Sequence, residues 1–127
     1  MATYKPGNYN SLSPYLIADN ATELVNQLVA VFNATVLRRY DRPDGSIMHI
    51  ELQLDDSVIM LSNSTAEYPA HKTMLHFYVS DVLATYRRAI ENGCTAISEP
   101  VNQPGDPDTR GSFYDTAGNH WSVSTQQ

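Results

Sequence analysis

The side chains most able to do chemistry sit in a few short alternating segments. His49 and Glu51 lie two apart in IMHIELQL. In a strand that spacing puts both on one face, with roughly 6.5–7 Å between Cα atoms. His76 is flanked at the same parity by Met74 and Tyr78 in MLHFY, and Tyr15 lies in SPYLIA. Glu51 among apolar neighbours would have a raised pKa and could act as a general base. His76 could do the same near neutral pH. His49, Glu51 and His76, with His120 as a further neighbour, make a two-histidine, one-carboxylate set of the kind that holds iron or zinc. The competing reading is that His49 and Glu51 hydrogen-bond each other. Tyr15 and Tyr78 suit hydrogen bonding to, or stacking on, a flat ligand. Arg110 would meet an anionic group or remain a solvated charge. Cys94 follows a helix C-terminus, where the dipole disfavours a thiolate, and reads as a small buried apolar residue. No phosphate loop, nucleophile elbow or cysteine pair is present.

These residues need strands to position them. Residues 13–18 read as a short strand, and 20–32 as a helix with Leu24, Val25, Leu28, Val29 and Phe32 on one face. Asn20 followed by Glu23 is a capping-box start. Residues 47–54 and 58–62 read as strands joined by a tight turn at Asp55-Asp56. The order then repeats: a strand over 74–79, a helix over 81–92 capped by Gly93, a short strand over 94–98, and a closing hairpin in GSFYDTAGNHWSVST. Laid over each other, the two halves set Tyr15 opposite His76. The stretch EPVNQPGDPDTRG (residues 99–111), with three prolines and two glycines, reads as a long loop, either a lid or a stiffened connection.

Alternation assigns each strand two faces. Met48, Ile50, Leu52, Leu54, Ile59 and Leu61 form a fully apolar face that must pack on the helices. His49, Glu51, Gln53, Val58, Met60 and Ser62 form a mixed face, joined by Tyr15, Ile17, Met74, His76, Tyr78, His120, Ser122 and Ser124. An antiparallel sheet can solvate such a face. Met60, Met74, Tyr15, Tyr78 and Ile17 are poor choices for water, so we read the face as the lining of a pocket.

The chain has 127 residues, 42% of them apolar, one cysteine and a net charge of −6. The length suits one domain over residues 1–127, with one core. The charge argues against a nucleic-acid partner. One cysteine permits no internal disulfide and fits a reducing, cytoplasmic setting. The first residues lack the apolar stretch of a signal peptide, and no run approaches transmembrane length, so no membrane association is expected.

The stretches SPYLIADNATELVNQLVAVFNA, DGSIMHIELQLDDSVIMLS, LHFYVSDVLATYRRAIENG and GDPDTRGSFYDTAGNHWSVST together resemble the glyoxalase/bleomycin resistance branch of the vicinal oxygen chelate superfamily. The resemblance implies an α+β fold of two βαβββ modules, over about residues 11–64 and 72–126, whose mixed sheet curves into a cup with the helices outside it. It also implies a homodimer. Known activities in that family include glyoxalase, extradiol dioxygenase, epimerase and thiol transfer to fosfomycin, and other members bind a drug such as bleomycin without chemistry. Its metal enzymes place one ligand on the opening and last strand of each module. Those places correspond here to Ser13, Met60, Met74 and Ser122, none a good ligand for a hard or borderline ion. A slip of two residues would bring in His76 and His120. The resemblance therefore points to a protein that binds a small, partly apolar or aromatic molecule, such as an antibiotic or toxin, without a metal or other cofactor. Tyr15, His49, Glu51, Met60, Met74, His76, Tyr78 and Ser122 would line the cup. The alternative is a glyoxalase-like or dioxygenase-type enzyme. It would use a divalent metal on His49, Glu51 and His76, or Glu51 as a metal-free base with His76 as a second catalytic group.

Overall fold

A computed structural model describes residues 4–127. The chain runs β1 (Tyr15–Ala18), α1 (Ala21–Phe32), β2 (Thr35–Asp41), β3 (Ile47–Leu54), β4 (Ser57–Asn63), β5 (Met74–Tyr78), α2 (Val82–Glu91), β6 (Thr95–Asn102), β7 (Asp108–Tyr114) and β8 (His120–Gln126). The strands form two four-stranded sheets, ordered β1-β4-β3-β2 and β5-β8-β7-β6. In each, the opening strand pairs in parallel with the last, and the remaining pairs are antiparallel. This is the expected α+β arrangement of two repeated βαβββ units.

The helices start where their caps require. Asn20 Oδ1 accepts the Glu23 amide at 3.2 Å, and Asp81 Oδ1 accepts that of Ala84 at 3.1 Å, satisfying otherwise orphaned donors. Leu24, Val25 and Leu28 bury one face of α1. Each helix packs on its own sheet, and the two helices touch. Phe32, at the end of α1, crosses to the second module, with its ring 5.2 Å from Phe77 and 4.7 Å from Trp121. Gln27 bridges the modules as well: its amide donates to the Asn92 carbonyl at 2.9 Å and accepts from the Thr116 N–H at 2.7 Å. One core thus spans both modules. Among the described residues no helix is long and apolar enough to cross a membrane.

Leu54 pairs with Ser57 across the Asp55-Asp56 turn, as read from the sequence. Ile50, Leu52, Leu54, Ile59 and Leu61 are all buried. Met48 departs from that face. Tyr40 pairs with His49 and Asp41 with Ile47, so Met48 is skipped by a bulge. Ile47 turns into the core, and Met48 is left 49% exposed on the mixed side.

Two segments differ from the expectation. Strand β2 was missed because it is an edge strand with no buried residue, so no alternation marks it; its arginines suit an unpaired edge. The long loop over 99–111 is not a loop. Val101 pairs with Arg110 and Asn102 with Thr109, leaving only residues 103–107 as the connection. Pro100 falls in the register shift between Ser98 and Val101, where a missing N–H interrupts no regular ladder.

The closing hairpin turns on Asp115, which is buried and accepts from the Ala117 and Asn119 amides, the Asn119 side chain and, at 2.8 Å, Trp121 Nε1. Gly118 has φ +86°, and a Cβ there would meet Lys72 at 2.8 Å.

Candidate functional site

The first sheet holds its chemistry in one hydrogen-bonded chain. Glu51 projects from β3 and is 5% exposed. Its Oε1 accepts from the Tyr9 hydroxyl, and its Oε2 lies 2.8 Å from His49 Nε2. The Arg38 guanidinium, from β2, is 3.7 Å from Oε1. On the other side of the imidazole, Nδ1 lies 3.0 Å from the Tyr15 hydroxyl. An ionised carboxylate only accepts, so the proton of neutral His49 belongs on Nε2 and Nδ1 accepts from Tyr15. His49 and Glu51 do bond each other, as one sequence reading held.

The raised pKa expected for Glu51 is not found. Burial pushes its carboxyl up, but the hydrogen bonds from Tyr9 and His49 and the Arg38 charge outweigh that, and hold it below its ordinary value. With both oxygens engaged and the group buried, Glu51 has no free face to serve as a base. Its partner Tyr9 is pushed the other way, because its hydroxyl bonds that carboxylate and is partly desolvated.

Tyr9 was missed by sequence reasoning. It arrives on the segment before β1, stacked under Arg38 with the guanidinium 5.6 Å from the ring centre. That segment has no periodicity to mark it.

Beside this chain lies a mostly apolar cavity of about 620 Å³. Tyr15, Ile17, Met48 and Tyr68 line it together with the polar Arg42, Ser62, Asn63, Thr65 and His71. His71 ties the linker between the modules onto β1: its N–H donates to the Ile17 carbonyl at 3.2 Å, and Nε2 lies 3.1 Å from the Tyr15 carbonyl. Met60 pairs with both Tyr15 and Glu51 across the sheet. Met48, Tyr68 and His71 were not among the lining residues read from the sequence; only the bulge and the linker path bring them in. A second cavity, of about 480 Å³, lies where the modules meet and is largely polar.

The second sheet carries a separate cluster. His76 Nδ1 is 3.0 Å from Ser122 Oγ, and Nε2 is 3.4 Å from Ser124 Oγ. Its ring meets Tyr78 edge-on at 5.0 Å. The Tyr78 hydroxyl donates to buried Asp108 at 2.8 Å. That bond pushes the phenol above its ordinary pKa and commits the group expected to meet a ligand, though the ring stays exposed. Arg110 is held by Asp106 at 2.8 Å and Asp108 at 3.3 Å; it is neither free nor simply solvated. Met74 pairs with His120 and is exposed. Cys94 is buried, and desolvation followed by the nearby Asp115 charge pushes its thiol up to about 12, as suits an inert residue.

The eight expected lining residues therefore fall into two groups: Tyr15, His49, Glu51 and Met60 on one sheet, and Met74, His76, Tyr78 and Ser122 on the other. His76 does not join His49 and Glu51, and among the described residues no three histidine, cysteine or acidic side chains are grouped to hold a metal. The register sets Met60 beside Tyr15, and Ser122 beside His76. The opening and last strands thus offer a phenol, a thioether, an imidazole and a hydroxyl, a set that does not fit a hard or borderline divalent ion.

Comparison with known proteins agrees with this architecture. The family model described as "Glyoxalase/Bleomycin resistance protein/Dioxygenase superfamily" matches residues 14–123. An uncharacterized protein of Mycobacterium tuberculosis is 30% identical over 124 residues, covering 89% of this chain and 72% of its own. Among solved structures the chain is similar to TioX from Micromonospora sp. ML1, with a TM-score of 0.79 at 19% identity over 93% of this chain and 99% of that one. It is also similar to TnmS3, an antibiotic binding protein from Streptomyces sp. CB03234, with a TM-score of 0.68 at 17% identity over 93% and 98%. At these identities the structures speak for the fold. The chain belongs to the glyoxalase/bleomycin resistance protein/dioxygenase superfamily.

Proposed function

We propose that this protein binds a small, partly aromatic molecule, of the antibiotic or toxin kind, on the mixed face of its first sheet. The observation that carries this is the apolar cavity of about 620 Å³. It is sized for a drug-like ligand, and Tyr15, Ile17, Met48 and Tyr68 make its surface mostly apolar, with Arg42, Ser62, Asn63, Thr65 and His71 as the polar groups around them, a make-up that suits a binding pocket. Similarity to an antibiotic binding protein supports the same reading. The donor set on the opening and last strands favours binding without a metal. Held apart within one chain, His49–Glu51 and His76 give little support to the relocated-metal alternative. Glu51 as a free base has lost its premise.

A cytoplasmic homodimer belongs to the same proposal. Tyr15, Met48 and Tyr40 on the first sheet, and Met74, Tyr78 and Tyr114 on the second, are large, apolar and exposed. A second copy facing its second sheet onto the first sheet would cover them, and would add His76 and Ser122 to the cup. Light scattering should then give a dimer mass.

The test is ligand-dependent stability. Bleomycin and planar aromatic antibiotics should be screened for a rise in melting temperature, which a native-state ligand produces by mass action. A rise that is lost in Met48→Glu supports the proposal. No rise across the panel, or a rise that survives Met48→Glu, contradicts it.

A further inference from the structure

The Glu51–His49–Tyr15 chain has a closed end and an open end. Glu51 is buried with both oxygens bonded, whereas Tyr15 is 40% exposed and lines the cavity. His49 stands between them with one nitrogen on each. The remaining neighbours are Arg38 and Tyr40 on β2, Met60 on β4 and Tyr9 on the preceding segment, and Arg42 and His71 line the cavity beside Tyr15, His71 with Nε2 3.1 Å from the Tyr15 carbonyl. Tyr40 lies 6.5 Å from His49, ring centre to ring centre, and Arg38 is spent on Glu51 and Tyr9. A hydroxyl on an imidazole that a buried carboxylate orients is the arrangement by which an O–H is made to give up its proton; here the hydroxyl is a phenol.

We propose that the cup takes a ligand bearing a weakly acidic hydroxyl, a phenol or an enol, and holds it as its oxyanion through Tyr15. This rests on the cup being the binding site. The ligand O–H gives its proton to Tyr15 Oη as the Tyr15 proton passes to His49 Nδ1. The ligand becomes an oxyanion, Tyr15 stays neutral and donates to it, and His49 becomes an imidazolium whose charge faces the Glu51 carboxylate. No electrons are exchanged, and the proton returns when the ligand leaves. Such a hydrogen bond to a charged oxygen is roughly twice as strong as a neutral one. This is discrimination that an apolar pocket alone would not give.

The test uses a matched pair, 4-nitrophenol and 4-nitroanisole, in which only the acidic hydroxyl is masked. Binding is followed by calorimetry near neutral pH, where an imidazole is ordinarily uncharged, and ionisation by the excess of phenolate visible absorbance over that of the free probe in the same buffer. Wild type should prefer the phenol by about tenfold and generate bound phenolate. Tyr15→Phe and His49→Gln should bring the preference near unity and abolish the excess phenolate absorbance. Nitrogen chemical shifts of His49 in the ligand-free protein should show Nε2 protonated and Nδ1 accepting. Equal binding of phenol and ether, a bound phenol that stays neutral, or a His49 protonated on Nδ1 alone overturns the relay and leaves the cup reading standing. If neither probe binds, the cup reading fails for small aromatics and the relay falls with it.

Discussion

The two sheets carry the same strand order and nearly the same register, yet they treat their mixed faces differently. Tyr15 beside Met60 in the first corresponds to His76 beside Ser122 in the second, as the overlay of the two halves anticipated. In the first sheet a buried carboxylate anchors the face, an imidazole spans it, and the strap before β1 seals it with Tyr9. In the second sheet the imidazole rests on two serines, and the nearest phenol is turned aside to Asp108. A repeated fold fixes where side chains stand. Which of them become a preorganised charge network depends on what covers them. On the first face Glu51 is kept ionised while buried by Tyr9, His49 and Arg38, and it passes that anchoring on to the imidazole.

Substitutions in each sheet should have graded effects. The largest effect should come from the joint between the modules. Phe32→Ala removes a ring packed on Phe77, Phe113 and Trp121 and should cost about 3 kcal/mol in urea unfolding. A loss under about 1 kcal/mol would mean the modules do not depend on that contact. Next, confined to the second module, Asp115→Ala strips the acceptor from Trp121 and Asn119 and should cost about 2 kcal/mol. In the first module, Glu51→Gln should cost about 1–2 kcal/mol and should also change the acid response. Because Glu51's pKa is lowered on folding, its contribution is complete above the ordinary carboxylate value of about 4.3. It is lost as pH falls through the lower folded value. Wild type should therefore lose more stability than Glu51→Gln as pH falls below that point; parallel curves would remove the charge from the account. Smallest of all, Tyr78→Phe, which removes the hydroxyl's bond to Asp108 and leaves the ring in place, should barely move the melting temperature. A fall of several degrees would mean that the Tyr78–Asp108 bond anchors the second face as Glu51 anchors the first.

Much of this was legible in the sequence. The helices, the Asp55-Asp56 turn and the buried positions of β3 and β4 follow from caps and alternation, signals that are local. The pairing of His49 with Glu51 was legible as a two-residue spacing. What stayed hidden depends on contacts distant along the chain. An edge strand with nothing to bury has no pattern, so β2 was invisible. The bulge that moves Met48 into the cavity arises from pairing with β2. Pro100 and Pro107 suggested a loop, although β6 and β7 simply place them at a register shift and just before a strand. Tyr9 lies 42 residues from Glu51, and nothing near it in the sequence points there. Without Tyr9 and Arg38, the environment of Glu51 reads as merely apolar, which is why its pKa was expected to rise rather than fall.

Locating a bound aromatic molecule decides whether the first sheet's mixed face is the binding site. Methyl resonances would be followed during titration with 4-nitroanisole, which occupies an aromatic site without engaging the relay. Ile17, Met48 and Met60 should shift together and saturably, and Leu83 and Ile90 on α2 should not. Shifts confined to Leu83 and Ile90, with Met48 and Met60 unmoved, would contradict that assignment and place binding on the opposite side of the molecule.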